Sequence, residues 1–233
     1  MQVPDRTTPI ARLLTLSLYS ESAMGQYPAS FATSPETAAQ LRVLYDMLTV
    51  GRGALTLAQS EYLAAVLNCI APRVAVMLID MRADSVARSA KRGADDAGKD
   101  IALAVFPEGV SPIIRPVGQS EVNALRALEG RIQAAAPRWP EAAAWNERIA
   151  AVRTSYETAL TNRTNVLTEA ANKRAVRNAA RESFLNTYAS VAAQIKGLFP
   201  RDKTTQDVFF EDVRSRGGED EGEAEEGVIL PVV

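Results

Sequence analysis

One uninterrupted stretch constrains this chain more than any other feature. From Glu141 to Lys196 the sequence contains neither glycine nor proline, the two residues that most strongly disfavour a helix interior. A single helix over this stretch would be about 80–85 Å long at 1.5 Å per residue. Its weakest point is the polar segment 161–165, whose side chains compete for backbone hydrogen bonds. The stretch therefore predicts either one very long helix or two helices with a bend at that segment.

Composition extends the helical prediction to the whole chain. The sequence is rich in alanine, the best helix former, and only 6% of its residues are aromatic. Helices as long as the one predicted above do not fit inside a compact sphere. We therefore expect an all-α protein, an elongated antiparallel bundle of four to six helices within residues 35–200.

Two further segments have helical signals. Ser34 and Pro35 are typical of a helix start, and we expect this helix to stop at Gly51–Gly53. The next segment has the 3-4 spacing of a coiled-coil seam and is expected to be buried: Leu63, Val66, Ile70, Val74, Met77 and Met81. Pro72 falls inside that segment, so a kinked continuous helix and a tight corner both stay open.

Changes in composition divide the chain into three parts. Residues 1–34 are predicted to form an N-terminal arm that packs on the body through Ile10, Leu13, Leu14 and Leu16. Residues 35–216 are predicted to form the helical bundle domain. Residues 217–227 hold six acids, no base and four glycines, which predicts a disordered acidic linker within a 217–233 tail.

Missing residue types exclude most familiar active sites. The chain has no histidine and one cysteine, Cys69, so catalytic Ser-His or Cys-His pairs and His- or Cys-based zinc sites are excluded. Cys69 lies among apolar residues and is expected to fill the core. Asp80 and Asp84 are one helical turn apart and are expected to face solvent. We predict no catalytic residue, no cofactor and no metal site, although an enzyme built from carboxylates, lysine or tyrosine stays an alternative.

The apolar end of the chain is the strongest candidate binding segment. Six consecutive apolar or proline residues follow the acidic linker: Val228, Ile229, Leu230, Pro231, Val232 and Val233. Such a peptide prefers an extended conformation and can add a strand to a sheet edge or fill an apolar groove. We predict that it docks on a partner protein or on another copy of this chain.

A basic segment offers a second candidate surface. Between positions 163 and 181 the sequence has only one acidic residue and five basic residues: Arg163, Lys173, Arg174, Arg177 and Arg181. Without the six acids of the linker, residues 1–216 carry 26 bases and 22 acids, a charge of about +4. This segment is an alternative site for an anion or nucleic acid. It lacks the interleaved aromatic residues that stack on bases.

Function and location follow from these patterns as expectations. No uncharged apolar run reaches the 18 residues of a membrane span, and the N-terminal segment lacks the basic leader of a signal peptide. We expect a cytoplasmic chain that does not enter a membrane. Its predicted function is non-enzymatic: a structural, assembly or adaptor protein that acts through helical faces and terminal segments, with self-association into a homo-oligomer expected.

Overall fold

The computed structural model describes residues 3–211, of which 83% are helical with no strand among them. The predicted all-α class is confirmed. The described part contains these helices in chain order: α1 (Ile10–Ser30), α2 (Pro35–Asn68), α3 (Ile70–Ala97), α4 (Lys99–Val105), α5 (Ser111–Ile114), α6 (Gln119–Ala135), α7 (Ala142–Leu198) and α8 (Lys203–Val208). The predicted acidic linker and apolar peptide of residues 217–233 lie outside the described residues.

The helices are divided between two compact units. The terminal unit consists of Met1–Leu57 and Asn178–Val233, and the central unit consists of Ala58–Arg177. Both α2 and α7 contribute residues to each unit. Helix α7 is 57 residues long and has no break at residues 161–165, so the continuous alternative holds.

The terminal unit combines an early and a late segment of the described chain in one core. Helix α1 lies in the segment predicted as an arm, and its Ile10, Leu13 and Leu16 are buried in the core of this unit. Phe209 and Phe210, which follow α8, enter the same core. The start of the chain is therefore an integral helix of the unit, because its apolar residues recur at the spacing of one helix face.

Helix α2 begins where the sequence predicts but does not stop at the predicted glycines. The backbone N–H of Thr37 donates to Ser34 Oγ over 3.2 Å, as expected for an N-cap. The helix then runs through residues 51–53. A Cβ atom at Gly51 would lie 3.4 Å from the ring of Phe184. The predicted stop was wrong, since packing against a large aromatic side chain favours a small residue at this position within the helix.

The chain passes from α2 to α3 without turning back. Cys69, the single residue between them, has helical angles (φ −74°, ψ −17°). Pro72 has no N–H to bond the carbonyl of Asn68, so one rung of the helix is lost there. The regular pattern resumes at once, since Arg73 N–H donates to Cys69 O over 3.3 Å. Of the two alternatives at Pro72, the continuous path is the one observed.

Small residues allow α3 to approach its neighbours closely in the central unit. Four alanines are fully buried along one face of α3: Ala83, Ala87, Ala90 and Ala94. Their core also contains the buried face of α6 that starts at Val122, and Tyr156 of α7. Gly93 lies against Trp145, whose Nε1 would be only 2.8 Å from a Cβ atom at that position. Helix α3 ends at Gly98, whose φ of 139° favours glycine.

The contact between Gly93 and Trp145 gives a test of this packing. Gly93→Ala is expected to lower the free energy of unfolding by about 1–3 kcal/mol, because the added methyl group overlaps a half-buried indole. The control is Gly130→Ala in α6, where a Cβ atom meets nothing within 4 Å. The free energy of unfolding of Gly130→Ala is expected to rise by up to about 1 kcal/mol, because alanine has the higher helix propensity. Urea unfolding of both variants measures the difference, and equal effects of the two changes would contradict the packing described.

Candidate functional site

A face of large apolar side chains is exposed on the central unit. We call it the apolar face, and it comprises Leu63, Leu67, Ile70, Val74, Met77, Leu78 and Met81 of α2 and α3. Each of these side chains is between 44% and 64% exposed. The sequence predicts that most of these positions form a buried seam, and this prediction was wrong. The periodicity is present, but the described residues provide no helix that covers it.

The opposite side of the same helical path explains the exposure. Ala65 and Cys69 are buried together with Ala170 of α7, and the Cys69 thiol donates to Ala65 O over 3.3 Å. Cys69 therefore fills a core position, as predicted. The path turns its small side chains toward α7 and its large side chains toward solvent. At about half exposure, each large side chain forgoes roughly half of the 1.5–3 kcal/mol that full burial contributes.

The exposed stretch is apolar enough to pass a membrane-span test. Within Pro35–Ala97, one 18-residue window has a mean hydropathy of 1.9, and 11% of that window is buried. The helix meets this test by length and composition alone. A core helix of a soluble domain would be mostly buried, so the small buried fraction distinguishes this segment from such a helix and adds to the evidence that it lacks a cover.

A second notable feature is a buried group of oxygen atoms at the junction of α3, α6 and α7. Tyr156 OH donates to Asp80 Oδ1 over 2.8 Å and accepts from the backbone N–H of Gly118 over 3.1 Å. Glu121, in the first turn of α6, is 1% exposed, and its Oε2 has no hydrogen-bond partner among residues 3–211. The sequence placed Asp80 at a solvent-facing edge, which was wrong because Tyr156 of α7 reaches it.

These surroundings change the proton affinity of Glu121. Burial, together with a hydrogen bond to Asp80 and the charges of Asp80 and Asp84, raises its pKa to about 8, against a smaller opposite effect of Tyr156. Burial and the hydrogen bond to Asp80 also raise the pKa of Tyr156. Protonation allows the Glu121 carboxyl to donate a hydrogen bond to Asp80. The chemistry that this group offers is therefore the retention of one proton at neutral pH.

The sequence contains one signal for the burial of Glu121, which is its spacing from the apolar residues of α6. Glu121 precedes Leu125, Leu128 and Ile132 by steps of four, three and four, and all four side chains are buried. No site was predicted at Glu121 from the sequence. Among residues 3–211 no group of three or more Asp, Glu or Cys side chains has the arrangement of a metal site.

The predicted basic residues are distributed over both units. Lys173 forms an ion pair with Glu61 at 2.9 Å, and the guanidinium of Arg177 lies 4.4 Å from the centre of the Tyr62 ring. Both contacts are in the central unit. Arg181 belongs to the terminal unit, where it donates to Thr8 O over 2.6 Å. Arg174 is exposed and Arg163 is partly exposed. Nucleic-acid binding by these residues stays a prediction.

The other predicted site, the apolar peptide of residues 228–233, lies outside the described residues. Comparison of the chain with models of protein families, with curated proteins and with solved structures found no match. The functional argument therefore rests on the apolar face and on the buried carboxyl group.

The raised pKa of Glu121 predicts a particular dependence of stability on pH. The folded chain binds this proton more tightly than the unfolded chain does, so stability is fully present below pH 4.5 and is lost as the pH rises toward about 8. Glu121→Gln removes the titration and keeps a donor for Asp80. Between pH 5 and pH 9 we expect the free energy of unfolding of wild type to fall by on the order of 3 kcal/mol relative to that of the variant.

Urea unfolding at several pH values measures this difference. The control is Glu147→Gln, which changes an exposed glutamate of α7 and should leave the pH profile of the wild type unaltered. Parallel profiles for wild type and Glu121→Gln would show that Glu121 titrates normally and would contradict the burial effect.

Proposed function

We propose that this chain is a non-enzymatic assembly protein that associates with copies of itself through the apolar face. The observation that carries the proposal is the row of exposed side chains from Leu63 to Met81, at steps of four and three residues. Apolar side chains at this spacing are typical of a helix that packs against another helix. A helix that lies on a lipid surface carries basic residues along the edges of its apolar arc, whereas within residues 62–79 the only charged residue is Arg73.

The size of the exposed face supports association. Seven large side chains at about half exposure leave on the order of 700 Å² of surface, comparable to the roughly 800 Å² per partner that a standard interface buries. The largest apolar patch on an ordinary monomer is about 300–600 Å². A face of this size favours association with a second protein surface.

Two expectations from the sequence, the helix arrangement and the cellular location, belong to the same proposal. We keep the antiparallel bundle of four to six helices as the arrangement that such an assembly protein would use. We also keep the cytoplasmic location, which the single cysteine favours. The predicted docking of residues 228–233 on a partner or on another copy provides a second contact, tethered by the acidic linker.

Charged substitutions on the apolar face test the proposal. We expect wild type to have at least twice the 25.1 kDa mass of one chain, as measured by light scattering at tens of micromolar. The double variant Leu67→Glu with Met77→Glu is expected to have the mass of a single chain, because association would bury two charged carboxylates from each copy. Both positions are exposed, so the fold is expected to survive the change.

The matched control places the same two charges on α7. Thr161→Glu with Thr168→Glu changes two exposed residues of the central unit and should leave the mass of the wild type unchanged. A wild-type chain that is monomeric at these concentrations, or a face variant with the wild-type mass, would contradict the proposal.

Removal of residues 228–233 tests the second contact. If the peptide docks on another copy, its deletion is expected to raise the apparent Kd of self-association about tenfold or more, which corresponds to the loss of at least about 1.4 kcal/mol. Ile229→Ser with Leu230→Ser keeps the length and removes the apolar side chains, so it should reproduce the effect of the deletion. Sedimentation over a concentration series measures both, and an unchanged Kd would remove the docking role.

A further inference from the structure

We propose that a groove on the terminal unit is the binding site of the apolar peptide, residues 228–233 of the same chain. The groove is a different surface from the apolar face, and its occupation does not depend on that face. The inference goes beyond the proposed function, because it gives the peptide a site on its own chain. The second contact of the proposed function is the same contact exchanged between copies.

The groove lies between the early part of α2 and the last turns of α7. Its volume is about 380 Å³, and six uncharged residues line it: Gln40, Val43, Leu44, Gln194, Gly197 and Leu198. Leu44 is only 2% exposed, whereas Val43 beside it is 58% exposed. The described residues therefore leave apolar surface of this groove in contact with water.

Gly197 keeps one wall of the groove free of a side chain. A Cβ atom at this position would meet nothing within 4 Å, so the space beside it is open. Gly197 does not have a positive φ, and glycine in a helix costs about 0.5–1 kcal/mol relative to alanine. A large side chain at this position would occupy part of the groove and compete with a ligand.

The chemistry of the groove matches a short apolar peptide. Its volume is at the small end of the range for ligand pockets, about 300–1,000 Å³, so it admits a few side chains. Residues 228–230 are three consecutive apolar residues. Gln40 and Gln194 are exposed at the groove, and their amide groups can pair with the backbone of an extended peptide. The Gln194 amide nitrogen already donates to Ser190 over 3.2 Å, which leaves its oxygen to accept.

The last described residue lies close to the groove. The ring of Phe209 stacks on the ring of Phe199 with centroids 5.5 Å apart, and Phe199 follows the groove residue Leu198. Glu211 comes two residues after Phe209 and pairs with Arg12 of α1 at 3.1 Å. Because consecutive Cα atoms are about 3.8 Å apart, Glu211 lies less than about 30 Å from Leu198.

The segment between Glu211 and the peptide has the length that this span requires. Sixteen residues, 212–227, separate Glu211 from Val228. Fully extended they would reach about 55 Å, and a Gly-rich chain of this length has an r.m.s. end-to-end distance of about 20–24 Å. Because that distance is similar to the span, the effective concentration of the peptide at its own groove is in the millimolar range. This value exceeds the micromolar concentration of other copies in solution, which favours the chain's own peptide as the occupant.

Disulfide formation within one chain tests the site. In full-length chain with Cys69→Ala, one cysteine is placed in the peptide by Val232→Cys. The second is placed at the groove by Gln40→Cys (the groove pair) or outside it by Ala54→Cys (the control pair). Positions 40 and 54 are both exposed on α2 in the terminal unit and lie about 21 Å apart along the helix. Under mild oxidation we expect the groove pair to close at least tenfold faster, as measured by mass spectrometry of the single-chain product.

Further variants of the groove pair show whether the groove and the apolar side chains cause the difference. Gly197→Leu fills the groove and is expected to remove the tenfold advantage. Gly53→Leu makes the same change at another glycine of the terminal unit where a Cβ atom meets nothing within 4 Å, and it should keep the advantage. Ile229→Ser with Leu230→Ser changes only the peptide, so the described fold is untouched, and it should also remove the advantage.

The outcomes separate this inference from the proposed function. Equal closure of the groove and control pairs, or an advantage that survives both Gly197→Leu and the serine changes, would overturn the site. A disulfide that joins two chains, at a rate that rises with chain concentration, would overturn occupation by the chain's own peptide and assign the contact to exchange between copies. A wild type that is monomeric by light scattering, but whose groove pair closes within one chain, would contradict the proposed function and leave this inference intact.

Discussion

The continuous helical path at Pro72 is the constraint on which the exposed apolar face depends. Proline removes one hydrogen bond, to Asn68, but Cys69 keeps helical angles and Arg73 restores the pattern at once. Apolar residues before and after the proline therefore remain in phase and form one continuous row. A tight corner at this position, the other arrangement that proline favours, would have divided the row between two helices.

Two buried glutamates show how local partners decide the state of the same side chain. Burial of Glu21 in the terminal unit favours its neutral form, but hydrogen bonds from Arg52, Ser17 and Thr49 outweigh burial and lower its pKa. Glu121 in the central unit has Asp80 as a neighbour in place of an arginine, and its pKa rises. The first glutamate is a charged structural bridge, whereas the second retains a proton near neutral pH.

Side-chain size organises both the core and the exposed surface. Gly93 on α3 lets Trp145 of α7 approach closely, and the buried alanines of α3 share a core with residues of α6 and α7. Ala65 and Cys69 are buried in the same way with Ala170. The large apolar residues of the same path are consequently directed outward. A surface that keeps so many of them in water is costly for an isolated chain, and this cost is the physical basis of the proposal that the face takes part in assembly.

The sequence by itself determined the helices, because helix formation depends on local properties. The absence of glycine and proline predicted most of α7, and Ser34 predicted the start of α2. Periodicity also identified the row from Leu63 to Met81, but spacing shows only that a face exists and does not show what covers it. The stop predicted at Gly51 failed because a distant residue, Phe184, packs there. Only the tertiary structure brought Tyr156 and Asp80 to Glu121 and left the apolar face open, since both results depend on contacts between residues far apart in the chain.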